Sequence, residues 1–537
     1  MRGWFGTVGV VTPPASDRIV ADPPTAGTAR ERLVRATSPR DRLNPVPSGR
    51  YDVVVLGAGA AGLVASGILG ATQARVALIE ANALGGDCTH VGCVPSKALL
   101  HVSSQVAAAQ RAIESGWLDG RVEADGAAAL RHLREVRADV AASEGVERFE
   151  ELGAEVFFGR ASFPDANRVR VSPGEQSPSP VVELEFDKLI LANGSTPLLP
   201  PIEGLDGVDA LTNETVFELD EPPRSMVIIG AGPIGCELGQ AFCRLGVEIT
   251  IVEASERILP RDDPRAGEVV AEVLTREGVN LLTGRSVDRI EQTTSGVEVR
   301  AGDATVRAER VLLAVGRAAP GDPGYAALGV EVDRGGFPIV DAHLRTTAPH
   351  VHAVGDVALR SRFTHMAAQS AMNAVTDQLV PFMSPTIDQD EAPWCTFTEP
   401  AVGHVGLTPA VAEARGLELR CHEVELSEVD RAVINGDTEG FVRLYTRRGS
   451  SRIVGATVVS RDAGEMISQL ALARSAGVGL LRLAGVTYPY PSMSQAYQNI
   501  GQEDLLRHRD RAAPILRAMW SVRRAAAGLR RRYRDGS

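Results

Sequence analysis

Asp52-Val-Val-Val-Leu56-Gly57-Ala-Gly-Ala-Ala-Gly62 reads as a buried strand running into a glycine turn and then a helix. Arg75-Val-Ala-Leu-Ile79 is the next strand, and Glu80 closes it at about the 20-residue distance expected of a dinucleotide-binding βαβ unit. A glycine triplet alone is a weak signal, but both strands and the terminal acid make it a strong one. Gly57 permits the tight turn, Gly59 lets the backbone approach a pyrophosphate, and Gly62 lets the helix pack on the strand. Glu80 is placed to take ribose hydroxyls.

The pattern returns once. Ser225-Met-Val-Ile-Ile229 is a strand, Gly230-Ala-Gly-Pro-Ile-Gly235 the loop with its glycines at 230, 232 and 235, and Glu248-Ile-Thr-Ile-Val252 the following strand, ending at Glu253. Two such units predict two dinucleotides. An acid at Glu253 repels a 2′-phosphate and favours NADH over NADPH, a preference that Arg257, four residues on, tempers. Leu189-Ile-Leu-Ala-Asn193-Gly194-Ser195 and Val311-Leu-Leu-Ala-Val-Gly316-Arg317 are strands entering glycine turns. Thr347-Ala-Pro-His-Val-His-Ala-Val-Gly355-Asp356 reads as another buried strand with an acid at its carboxyl end. Residues 390–502 differ: alternating apolar residues over 440–445 and 452–459 predict an antiparallel sheet, and 463–476 has helical spacing.

Thirty residues after the first loop stands Gly85-Gly86-Asp87-Cys88-Thr89-His90-Val91-Gly92-Cys93-Val94-Pro95-Ser96-Lys97. Two cysteines at the mouth of a helix can form and break a disulfide, and the adjacent dinucleotide unit supplies electrons. The alternative is a pair of buried thiols or half a zinc site. Zinc needs two more ligands, of which His90 is only one, and no second CxxC exists, so no resident metal is expected. The four other cysteines, Cys236, Cys243, Cys395 and Cys421, read as small buried hydrophobes. Only two lysines occur among 56 basic residues, Lys97 and Lys188, so a lysine in this run points to a compact ammonium rather than a casual surface charge.

The chain has 537 residues, enough for two or three full cores. A net charge of −12 and only 4% aromatic residues argue against nucleic acid as a partner. No run is long and apolar enough to span a bilayer, no secretory leader is evident, and a cycling dithiol suits a cytoplasmic location. Residues 1–50 hold seven prolines and eight arginines without apolar periodicity and are expected to be a disordered extension. The tail from Arg507 carries ten arginines against two aspartates. A basic amphipathic helix starting near Pro514 is expected there, docked on the acidic body, solvated, or offering a peripheral membrane contact.

Together these motifs resemble the class I pyridine nucleotide–disulfide oxidoreductases: dihydrolipoamide dehydrogenase, glutathione reductase and mercuric reductase. The resemblance covers residues 51–502. It implies an α/β fold with two Rossmann-like dinucleotide-binding domains plus a C-terminal α+β dimerisation domain. The implied parts are 51–215 and 331–389 for FAD, 216–330 for NAD(P) and 390–502 for dimerisation, with the basic tail 503–537 lying beyond the resemblance. FAD would sit on the first loop, with Ala161, Asn193, Gly194, Ser195 and Asp356 in its binding set, and NAD(P)H on the second, with Gly316 nearby. Thr364 and His365 would open a helix whose amides face the flavin. Lys97 would lie near the ring, paired with Glu237. Cys93 would stay near the ring as a thiolate while Cys88 faces the external acceptor. A homodimer with a cross-subunit active site is implied.

At one position the chain departs from the thiol reductases. Their His-Pro-Thr-x-x-Glu motif is here Tyr488-Pro-Tyr490-Pro-Ser492-Met-Ser-Gln495, with tyrosine for the histidine base and glutamine for glutamate. A phenol is a poor proton shuttle for a thiol near neutral pH. Mercuric reductases carry a tyrosine here too, and a soft ion binds thiolates without a general base. They also use a cysteine pair near the carboxyl end, and this chain has no cysteine after Cys421. The expected activity is therefore mercuric-reductase-like electron transfer from NADH through FAD and Cys88–Cys93 to a soft metal ion or small electrophile. The alternatives are a dihydrolipoamide dehydrogenase-type enzyme, a flavin-direct quinone or nicotinamide reductase, or a flavin-bearing sensor without turnover.

Overall fold

The computed structural model describes residues 28–175 and 177–534, in two units that divide between Ala392 and Pro393. In the first unit the quoted opening stretch forms the strand Tyr51–Leu56, the centre of a seven-stranded sheet. Val76–Glu80 and then Ala154–Phe158 lie parallel on one side of it, and Val182–Leu191 lies parallel on the other, with Val351–Ala353 beyond. Arg168–Ser172 and Arg160–Asp165 extend the sheet antiparallel. The central strands are apolar on successive positions because helices cover both faces; every residue of Val76–Glu80 is buried.

The second glycine unit builds its own sheet in the order Asn280–Leu282, Glu248–Val252, Ser225–Ile229, Arg310–Leu313, all parallel. A three-stranded antiparallel sheet (Arg289–Thr293, Gly296–Ala301, Ala304–Ala308) accompanies it. The two glycine loops have the same geometry. Gly57 and Gly230 adopt φ of +97° and +103°, where a side chain is strained. A Cβ on Gly62 or Gly235 would lie 1.7 or 2.0 Å from the carbonyl oxygen of Gly57 or Gly230, so only glycine lets these helices start against their strands.

The second unit is a five-stranded antiparallel sheet ordered Trp394–Thr396, Ala401–Gly406, Ile453–Ser460, Phe441–Arg447, Leu419–Glu425. Helix Ala463–Ser475 packs its buried Ala463, Met466, Ile467 and Leu470 into that core. The α/β class and the separate α+β carboxyl-terminal part follow the expectation from periodicity.

Two expectations are corrected. Part of the amino-terminal extension is ordered: Ala29–Thr37 is a helix, and its Leu33 clusters with Ala138 and Ala141 of helix Gly126–Ala141. Arg32 pairs there with Glu135 and Asp139, and Asn44 exchanges two 2.8 Å bonds with the backbone of Phe158. Proline-rich composition concealed a short amphipathic segment that needs a distant helix for its apolar side. Residues 1–27 lie outside the described residues. The tail helix does not start at Pro514; it is the end of one helix spanning Gln495–Arg534, which begins on the buried Ala496, Tyr497 and Ile500 of the second unit. Among the described residues no helix is long and apolar enough to cross a membrane.

Candidate active site

The cysteine run folds as a short helix, Gly86–His90, a turn at Val91-Gly92, and the 22-residue helix Cys93–Glu114. Gly92 makes the turn tight: a Cβ there would lie 2.7 Å from the Asp87 carbonyl oxygen and 3.4 Å from Cys88 Cα. The two thiols act on each other, and their interaction lowers the pKa of Cys93 and raises that of Cys88. Cys93 also lies 3.3 Å from Thr364 Oγ1. It is the first residue of a long helix with no side-chain cap.

The two sulfurs are made unequal. The hydrogen bond from Cys88 draws the Cys93 thiol down to about 6, against the opposing effect of burial and with help from Thr364 and the Lys97 ammonium. The uncapped helix amino terminus favours the same charge. The same bond pushes Cys88 upward, and burial and the Glu144 carboxylate add to it. Glu144 is held beside this loop by the Thr89 hydroxyl at 2.5 Å.

Lys97 follows Cys93 by one helical turn and so shares its face. Its Nζ donates to Glu237 Oε2 at 2.7 Å. Glu237 lies on helix Pro233–Arg244, directly behind the second glycine loop, and its side chain is only 5% exposed. One ion pair thus ties the redox helix to the second nucleotide unit.

Thr364 and His365 open helix Thr364–Leu379, again without a side-chain cap, and the His365 ring stacks on Phe363 with centroids 5.5 Å apart. Asp356 accepts from Ser195 Oγ at 2.9 Å. Ser195 is gripped in turn by Arg317, whose guanidinium donates to its Oγ and its carbonyl oxygen, each at 2.7 Å, and pairs with Asp87, the residue before Cys88. Burial pushes the Asp356 carboxyl up, and Arg317 opposes that. Sequence reasoning quoted Arg317 in a motif and Asp87 in the cysteine run without giving either a role. The available signal was a charge standing directly beside each motif's key residues, Asp87 before Cys88 and Arg317 after Gly316.

Glu80 accepts from Ala58 N at 2.7 Å and Asn82 N at 2.8 Å; Glu253 accepts from Ala231 N and Ser255 N at the same two distances. Each strand-end acid therefore braces its own glycine loop. Gly194 and Gly316 carry φ of +71° and +126°. Ala161 sits on strand Arg160–Asp165 opposite Val171. Tyr490 belongs to the second unit, where its hydroxyl donates to Asp430 Oδ2 at 2.9 Å.

The residues suit two dinucleotides. The helices behind the two loops start at Gly59 and Gly232 with no side-chain cap, leaving first-turn amides for phosphate. A Cβ on Gly59 would meet nothing nearer than 3.9 Å, and one on Gly232 nothing within 4 Å, so backbone can be approached there. Asn193 Oδ1 is buried without a partner among the described residues, an acceptor open to a donor.

This pairing of two dinucleotide units with a thiolate–thiol couple defines a flavin-dependent disulfide oxidoreductase. The chain belongs to the pyridine nucleotide-disulphide oxidoreductase family: residues 51–375 match that family, and residues 392–500 match its dimerisation domain. It is an FAD-dependent enzyme that uses NAD(P)H. It is 31% identical over 456 residues to the mercuric reductase of Staphylococcus aureus, covering 83% of this chain and 81% of that protein. The Cu(II) complex of the HOCl-induced flavoprotein disulfide reductase RclA from Escherichia coli superposes with a TM-score of 0.75 at 25% identity, over 85% of this chain and 99% of that one. LpdA from Mycobacterium tuberculosis gives 0.77 at 26% identity, over 84% and 99%.

Proposed function

We propose that the enzyme reduces a soft metal cation, with Hg(II) and Cu(II) as the leading cases, at the expense of NADH. For mercury the net change is NADH + Hg(II) → NAD⁺ + Hg(0) + H⁺, two electrons leaving the nicotinamide with its hydride and ending on the metal. The observation that carries this reading is the pairing of a sulfur held as thiolate near neutral pH, Cys93 at about 6, with a tyrosine where thiol reductases keep a histidine base. Thiolates are strong ligands for soft cations, and metal capture needs no proton acceptor for a leaving thiol. Kinship with mercuric reductase, and the Cu(II) bound by RclA, support the same class of acceptor.

Bound FAD supplies a ring that takes a hydride from nicotinamide and passes an electron pair to sulfur. The chain's residues have the following roles in this reading. The first-turn amides behind Gly59 and Gly232, braced by Glu80 and Glu253, bind the two pyrophosphates. Lys97, held by Glu237, presents a fixed ammonium on the face of Cys93. The amides at Thr364 favour negative charge on the ring side. Cys93 rests as thiolate, and Cys88, which keeps its proton, meets the acceptor. NADH is preferred, because Glu253 stands at the ribose end and the Arg257 guanidinium is occupied by the carbonyl oxygens of Pro260 and Asp262, at 3.0 and 3.2 Å. The active enzyme is a homodimer in which Tyr490 serves the partner's cysteines. The exposed Val433, Ile434, Leu472, Leu481, Leu505 and Leu506 of the second unit supply apolar surface for that contact. A dithiol that must return to its reduced form suits the cytoplasm.

The test is NADH oxidation by the purified holoenzyme with Hg(II), Cu(II), lipoamide, oxidised glutathione and a benzoquinone, in wild type and in Cys88→Ser. Metal-dependent turnover lost in Cys88→Ser supports the proposal. Turnover confined to lipoamide, or quinone turnover untouched by Cys88→Ser with none on metals, refutes it.

A further inference from the structure

The second unit holds a pair that sequence patterning did not single out. In the thiol reductases that this chain resembles, a glutamate follows the histidine by five positions; here Gln495 follows Tyr490. The glutamine is not the tyrosine's partner. Its Oε1 is buried and has no hydrogen bond among the described residues, at the start of helix Gln495–Arg534. The partner is Asp430, which opens helix Asp430–Asn435 and accepts the Tyr490 hydroxyl at 2.9 Å.

That bond sets a direction. The Asp430 carboxylate raises the Tyr490 phenol above its ordinary value, first through the hydrogen bond and then through its charge, so the hydroxyl keeps its proton at neutral pH. A protonated phenol has one hydrogen to give and two lone pairs to offer. The hydrogen is committed to Asp430. With the residue 71% exposed, the lone pairs are the face Tyr490 turns outward.

We propose that Asp430 is a positioning residue that makes Tyr490 an acceptor rather than a donor and so selects cationic acceptors over carbonyl ones. This rests on the proposed function, in which Tyr490 reaches the partner's cysteines. A cation at the phenol oxygen completes a carboxylate–hydroxyl–cation chain in which each contact strengthens the next. A quinone or other carbonyl oxygen meets lone pairs and a nearby negative charge, and finds no donor. Asp430 thereby takes over the place of the glutamate in the thiol reductases, but with opposite effect: it fixes a hydrogen-bond acceptor instead of sustaining a base.

The test compares wild type, Asp430→Asn, Asp430→Ala, Tyr490→Phe and Asp430→Ala/Tyr490→Phe as full-length holoenzymes. The readout is the ratio of kcat/KM with Hg(II) or Cu(II) to kcat/KM with a benzoquinone. Loss of one charge-assisted hydrogen bond should lower this ratio about tenfold in Asp430→Ala. Asp430→Asn, whose amide oxygen still accepts, should lose less. Asp430→Ala should change nothing further once the hydroxyl is gone in Tyr490→Phe. General damage to the fold would move both acceptors together and leave the ratio alone. An unchanged ratio in Asp430→Ala, or an equal fall on the Tyr490→Phe background, overturns this inference while metal turnover by wild type leaves the proposed function standing. A wild-type enzyme inert to both cations overturns the two together.

Discussion

The ammonium of Lys97 and the buried carboxylate of Glu237, 140 positions apart in the chain, meet at 2.7 Å. The contact joins the helix that starts at Cys93 to the helix that starts behind the second nucleotide loop. It therefore ties the surroundings of Cys93 to the second glycine-loop unit by one bond.

Removing the cation should be costly on both counts. In Lys97→Met the Glu237 carboxylate stays buried and loses the Lys97 ammonium. The Lys97 side chain is 36% exposed, so water offsets part of the penalty. A loss of about 2 kcal/mol in stability is expected by urea denaturation. Anaerobic stopped-flow mixing with NADH should show flavin bleaching slowed by at least about tenfold.

The inequality of the sulfurs should appear as a pH profile. Alkylation of the reduced enzyme by iodoacetamide should rise as pH passes about 6, because Cys93 loses its proton there, and should be flat by neutrality. Replacing the donor, in Cys88→Ala, removes the largest cause of the lowering. The midpoint should then move up toward that of an ordinary thiol. A midpoint that stays where it was would show that the helix terminus and Lys97 suffice.

Gly92→Ala places a Cβ 2.7 Å from the Asp87 carbonyl oxygen. The backbone must shift, at a cost of about 1–3 kcal/mol. The pair should also close less readily. Thiol titration after mild oxidation should find free sulfhydryls at Cys88 and Cys93 where wild type shows none.

Coenzyme choice should yield at Glu253. In the proposed reading its carboxylate repels a 2′-phosphate, and it braces the loop through Ala231 N and Ser255 N. Glu253→Ala should raise the NADPH-to-NADH ratio of kcat/KM by about tenfold while lowering both values, since the brace is lost. A ratio that does not move would exclude the acid as discriminator.

Much of the fold was legible because its signals are local. Continuous apolar strands, glycines at the turn and an acid at the next strand's end define a nucleotide unit within about 30 residues. Alternation over 440–445 and 452–459 marked the antiparallel sheet that the strands Phe441–Arg447 and Ile453–Ser460 form. The helix Ala29–Thr37 escaped notice because its few apolar residues gain meaning only beside Ala138 and Ala141.

By itself, then, the sequence determined two nucleotide loops, a cysteine pair able to cycle, and a tyrosine in place of a base, since each depends on neighbours a few positions away. Tertiary structure alone decided which charges answer one another: Arg317 with Asp87 across 230 positions, and Tyr490 with Asp430 across 60. The reason is physical. A hydrogen bond or ion pair acts over a few ångströms of space, and separation along the chain carries no record of which distant side chains folding will bring that close.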